Sequence, residues 1–214
     1  LLGGSAQEAA KRQQGMTMAK SLKTLALLGL LVPGIALAQF SDSYNFLKAV
    51  RDRDGAKTTE IISKPGTVII DTRDSSTGET ALHIVTLERD ATWMRFLLAR
   101  GARTDMRDAR GNTPLMLAAQ LGFIEGAQLL IDRRASVDLA NSAGETPLIR
   151  AVQNRDGAMV QLLMTSGANP NKVDSGAGLS ARDYAVRDRR SAAILKIIDS
   201  TRPATTAPKA AGPN

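Results

Sequence analysis

Gly78-Glu-Thr-Ala-Leu-His83, Gly111-Asn-Thr-Pro-Leu-Met116 and Gly144-Glu-Thr-Pro-Leu-Ile149 are three copies of one phrase, and they begin 33 residues apart. A helical pattern follows each phrase and closes on a Leu-Leu pair: Leu97-Leu98, Leu129-Leu130 and Leu162-Leu163. Then come Gly101-Ala102, Arg134-Ala135 and Gly167-Ala168. A fixed period of this length marks stacked units, none of which buries its apolar face alone. Each residue type has a mechanical role. Thr80, Thr113 and Thr146 stand where a hydroxyl caps a first helix, and Pro114 and Pro147 fall in the first turn, where no N–H is missed. Leu82, Leu115 and Leu148, with Ala118, Ala119 and Ala151, give a slim inner helix. Gly101 and Gly167 supply the left-handed residue that ends the outer helix. Asp74, Asp108, Asn141 and Asp174 read as the turn linking one unit to the next.

On these residues the segment resembles ankyrin repeats of an exported bacterial type, with Thr113-Pro114-Leu115 and Thr146-Pro147-Leu148 as the clearest matches. The resemblance implies an all-α solenoid of about five helix-turn-helix repeats joined by short β-hairpin turns, with caps at both ends. The expected domain runs over 39–201, with repeats near 42–77, 78–110, 111–143, 144–177 and 178–200. The first is degenerate: Phe46, Leu47, Ala49 and Val50 take the places of the phrase, Ile61-Ile62 match the Leu-Leu pair, and Lys64-Pro65-Gly66 ends the second helix. In the last, Arg182 replaces the phrase leucine while Ile194, Leu195, Ile197 and Ile198 line the second helix. Both suit repeats with one face to water.

Two departures carry expectations. Arg134 stands where Gly101 and Gly167 stand, which predicts a side chain forced into left-handed backbone. Trp93, Gly126 and Met159 share one repeat position, which predicts that the Trp93 indole fills the space Gly126 leaves.

Residues 1–38 are expected to be an upstream extension and a cleavable signal peptide, with Met16 or Met18 as initiator. Lys20 and Lys23 precede a short apolar run over 25–32, Pro33-Gly34 interrupts it, and Ala36-Leu37-Ala38 offers a small-x-small cleavage site. The other reading, an uncleaved anchor, has a run well short of the roughly 20 residues a bilayer crossing needs. Losing Lys11, Arg12, Lys20, Lys23 and Glu8 lowers the formal charge from +7 to +4, which weakens any nucleic-acid reading. The absence of cysteine suits an oxidising periplasm or secretion. The Pro-, Ala- and Thr-rich stretch at 202–214 is expected to be a disordered tail.

Chemistry finds little material. The chain has no Cys and one histidine, His83, which the resemblance places in a structural hydrogen bond. Asp74, Asp108 and Asp174 lie in separate repeats, too far apart to form a metal site or a catalytic pair. We expect no catalytic residues, no metal and no cofactor. The arginines around 100–110 and 187–190 read either as a solvated surface or as a patch for an anionic polymer or membrane surface. By resemblance, a partner protein would lie on the concave side, over the hairpin tips and exposed inner-helix positions. The candidates are Glu79, Leu87, Glu88, Arg110, Asn112, Gln120, Leu121, Glu145, Gln153, Asn154, Leu179, Arg187 and Asp188. Leu87 and Leu121 are apolar where the scaffold does not require it. The expected function is non-catalytic protein binding in the cell envelope, by a chain that is monomeric alone, binds no nucleic acid and keeps no membrane segment after cleavage.

Overall fold

The computed structural model describes residues 33–64 and 69–201. Most of the expected signal at 1–38, Pro65, Gly66 and the expected tail at 202–214 lie outside them. The chain divides into two units after Tyr44. The described part of the first, residues 33–44, is the opening stretch of helix α1 (Pro33–Arg51). Pro33 begins that helix, where a missing N–H costs nothing.

The second unit is built of helix pairs. The rest of α1 pairs with α2 (Gly55–Ile62), α3 (Ala81–Leu87) with α4 (Ala91–Ala99), and α5 (Pro114–Leu121) with α6 (Ile124–Asp132). α7 (Pro147–Gln153) and α8 (Gly157–Thr165), then α9 (Ala181–Arg187) and α10 (Ala192–Ser200), complete the array. No strand occurs among the described residues, only an isolated bridge between Val173 and Ser180. The inner helices start where the phrases predict: the Thr113 and Thr146 hydroxyls accept from the N–H groups of Met116 and Ile149 at 3.2 and 3.3 Å. Leu82, Leu115 and Leu148 of the inner helices and Leu97, Leu130 and Leu163 of the outer ones are buried in one continuous core. Each such side chain contributes about 1.5–3 kcal/mol, so loss of one weakens two layers at once.

Neighbouring repeats are joined in three ways. Hairpins bond to each other through backbone: Ala109 N–H donates to the Thr77 carbonyl (2.9 Å), Ser142 to Arg110 (3.0 Å) and Ser175 to Ala143 (2.9 Å). The donor comes so close that a Cβ on Gly111, at φ +78°, would lie 2.7 Å from the Ser142 nitrogen. The phrase therefore opens on glycine for two reasons, backbone hand and crowding. Further along, aspartates reach across: Asp71 accepts from the Arg103 N–H (2.9 Å), Asp105 from Ser136 (2.9 Å) and Asp138 from Asn169 (3.0 Å).

The third join is an Arg-Asp dipeptide at the bend between inner and outer helix, a signal the period left unread. Arg53, Arg89 and Arg155 hold φ of 60°, 55° and 57°. Each following aspartate (Asp54, Asp90, Asp156) caps an outer helix, accepting from Lys57, Trp93 and Met159 N–H at 2.8–2.9 Å. The arginines then cross to the next repeat. Arg53 bonds Glu88 and Asp90, Arg89 reaches the Gly122 carbonyl (3.1 Å), and Arg155 meets Asp188 (2.5 Å). Each left-handed arginine costs about 1 kcal/mol against glycine. The cross-repeat bonds offset that cost. In the third repeat Gly122-Phe123 stands instead, with no side-chain cap, and Asn154 makes the join by donating to the Gln120 carbonyl at 2.8 Å.

The expected pairing of Trp93 with Gly126 is corrected. A Cβ on Gly126 would sit 2.3 Å from the Phe123 ring, so it is Phe123, of the same repeat, that occupies this space. Trp93 packs instead on Phe96 (ring centroids 5.1 Å apart) and under the Arg53 guanidinium, 5.7 Å from its ring centre. The period aligned the two positions but could not reveal that a bend residue turns inward.

The left-handed expectation at Arg134 holds, with φ 63° against 87° at Gly101 and 90° at Gly167. Arg134→Gly should therefore stabilise the fold by up to about 1 kcal/mol, a rise of about 2–4 °C in Tm by thermal unfolding. Gly126→Ala should destabilise by about 1–3 kcal/mol in the parent, because the buried Phe123 ring must move. In a Phe123→Ala background the same change should stabilise by up to about 1 kcal/mol through helix propensity. Denaturant titration of the four proteins reads that reversal of sign.

Candidate functional site

The side of the array formed by the hairpins and inner helices is laced by polar side chains. His83 is fully buried. Its Nδ1 takes the Thr80 N–H (3.2 Å) and hydroxyl (2.8 Å), and its Nε2 lies 3.0 Å from the Asn112 carbonyl. Those partners fix the neutral tautomer with the proton on Nε2, and burial pushes the imidazole below its usual value. This is a structural role, tying the second repeat to the hairpin of the third.

From that hairpin a chain of hydrogen bonds continues. Asn112 donates to Asp108 (3.0 Å), and Asn141 donates to both Asn112 (3.2 Å) and Glu145 (2.9 Å). Arg150 donates through Nη1 to Glu145 (3.1 Å) and to Gln153 (3.2 Å). Tyr184 donates to buried Asp174 at 2.6 Å and holds that carboxyl below the usual range, helped by the N–H groups of Ala177 and Gly178. At the first tip the Ser76 hydroxyl and the Arg51 guanidinium hold Asp74 far below the usual carboxylate range. At the last bend the Arg190 N–H and Arg155 bring Asp188 down to about 2. These acids are turn and joint residues. Among the described residues no group of three or more His, Cys, Asp or Glu is placed to hold a metal ion.

The thirteen candidate contacts separate accordingly. Asn112 and Leu179 are buried, so neither side chain reaches solvent. Glu88 and Asn154 are exposed and Glu145 and Asp188 half-buried, and all four are engaged: Glu88 by Arg53, Asn154 with the Gln120 carbonyl, Glu145 by Arg150 and Asn141, and Asp188 by Arg155. Gln153 receives Arg150. Glu79 and Gln120 are half-buried, and Arg187 is exposed. Leu87 and Leu121, at the ends of successive inner helices, stay 39% and 37% exposed. Arg110 projects from its tip with 76% of its side chain exposed, and its nearest acid, Asp108, is 3.9 Å away and buried. Sequence reasoning missed Arg150 and Tyr184. Their repeat position is an apolar Ile84 and Leu117 earlier in the array, so the period predicted nothing polar there.

Paired helices, hairpin-to-hairpin bonding and a fixed step define a helical repeat scaffold. A family model for ankyrin repeats, three copies long, matches residues 46–141 and again 93–174, together more than half of the chain. The chain belongs to the ankyrin-repeat family. Ankyrin repeats are in general protein–protein interaction modules and typically non-catalytic scaffolds. No helix among the described residues is long and apolar enough to cross a membrane.

The only histidine of the chain gives a test in pH. Its folded value is depressed, so the unfolded chain takes up a proton first as pH falls through about 6.5. Stability should be full above about pH 7 and decline below it, until the folded imidazole also titrates. Urea midpoints at successive pH values should show this slope in the parent and a flat profile over the same window in His83→Gln.

Proposed function

We propose that this array is a non-catalytic docking module of the cell envelope, exported by its leader, whose partner protein lies across the hairpin tips and the exposed side of the inner helices. It would act there as an adaptor, a stabiliser or an inhibitor. The observation that carries the reading is the state of Leu87 and Leu121. Every other large aliphatic side chain of the three central inner helices is buried, whereas these two remain open on successive layers, bordered by polar groups. An apolar centre within a polar rim is the usual construction of a protein contact. Export is supported by Lys20, Lys23, the apolar run and the small-residue site before Gln39, with no cysteine to misbridge.

The second reading, an anionic polymer or membrane surface held by arginines, has less to work with. Of the arginines it rests on, Arg100 lies over the Phe96 ring and Arg190 sits 3.7 Å from Asp188, while Arg107, Arg110, Arg187 and Arg189 stay exposed among Asp105, Asp108 and Asp188. Capture from an envelope extract at moderate salt separates the two. The docking reading expects a protein that stays bound there and is lost with Leu121→Asp, while circular dichroism shows the variant folded. Capture that collapses with salt and ignores Leu121→Asp would favour the arginines instead.

A further inference from the structure

The hairpin and inner-helix face has a lopsided supply of free charge. Its carboxylates are spent within the array: Asp74 on Arg51 and Ser76, Glu88 on Arg53, Glu145 on Arg150 and Asn141, Asp188 on Arg155. Glu79 is the exception, half-buried at the first tip. Arg110 and Arg187 are cations that are not spent this way. Arg110 stands out from the second tip, its only acid 3.9 Å off and already bonded to Asn112. Arg187 ends the last inner helix, exposed; the acid that feels its charge is Asp183, one turn earlier and already bonded to Ser180. Between them in sequence lies exposed Leu121. Ion pairs already closed on the scaffold offer a partner little, whereas exposed guanidinium groups together with exposed leucines favour a partner with both carboxylates and aliphatic side chains.

We infer that the partner segment docking on this face is an acidic stretch of protein carrying aliphatic side chains, the aliphatics covering Leu87 and Leu121 and the carboxylates meeting Arg110 and Arg187. This depends on that face being the docking surface. A polymer of charge alone would leave the two leucines uncovered, and a neutral apolar segment would leave both guanidinium groups unanswered.

A random peptide library displayed on phage and selected on the immobilised folded domain tests the inference. Binders should be enriched in Asp and Glu interspersed with Leu, Ile or Phe. A synthetic copy of the leading peptide should lose about tenfold or more in affinity against Leu121→Asp and against Arg110→Glu with Arg187→Glu. Exchanging its acids for lysines should restore binding to the arginine double variant. Selected peptides with no acidic bias, or binding indifferent to the two arginines, overturn the acidic-partner inference; if such peptides still fail against Leu121→Asp, the docking face itself survives. No binders, or binders indifferent to Leu121→Asp as well, overturn both. Polyglutamate binding as tightly as the selected peptide also overturns the inference, because it assigns the site to charge alone.

Discussion

The array depends on one repeated bond, the N–H at the tip of each hairpin donating to the carbonyl just before the glycine of the hairpin preceding it. That bond sets the step between layers. With the step fixed, the inner helices are brought close enough for their alanines to matter, and the outer helices follow through the Arg-Asp bends. The glycine is its most exacting requirement, since any side chain would push the next hairpin away. At Gly178 a Cβ would meet nothing within 4 Å, because no described hairpin follows to press on it.

Most of the fold was legible because it is periodic. The phrase at 78, 111 and 144 announced the inner helices, their caps and the turn residues, and the degenerate ends were recognisable by their apolar remnants. What escaped has a common cause: period compares a residue with its counterparts, whereas these features join a residue to its neighbours. Arg53, Arg89 and Arg155 went unread, yet their left-handed backbone and cross-repeat reach make them joints. Phe123 precedes its outer helix at the capping position, a place the period does not mark as core, while its ring fills the space at Gly126. Arg134 was legible because it stood alone against two glycines.

The candidate face was legible in outline only. Counting along the repeat found Leu87, Leu121, Arg110 and Arg187, which are exposed, but it also selected Asn112 and Leu179, which are not. Asn112 is drawn inward by Asp108, Asn141 and the His83 bond to its carbonyl, a network assembled from two successive repeats. A list made position by position cannot register such a convergence. It could not register either that Glu88, Glu145 and Asp188 are already matched to arginines, which is what leaves the face richer in open cations than in open acids.

Because the hairpins are joined through main chain, the side chains at their tips are relieved of holding duty. Thr77, Ala109, Arg110, Ser142, Ala143 and Ser175 all point to solvent while their own N–H or C=O groups carry the joints or the turns beside them. A lineage can therefore rewrite those letters with little penalty in folding. Descendants of one such array are free to diverge in what they recognise long before they diverge in shape.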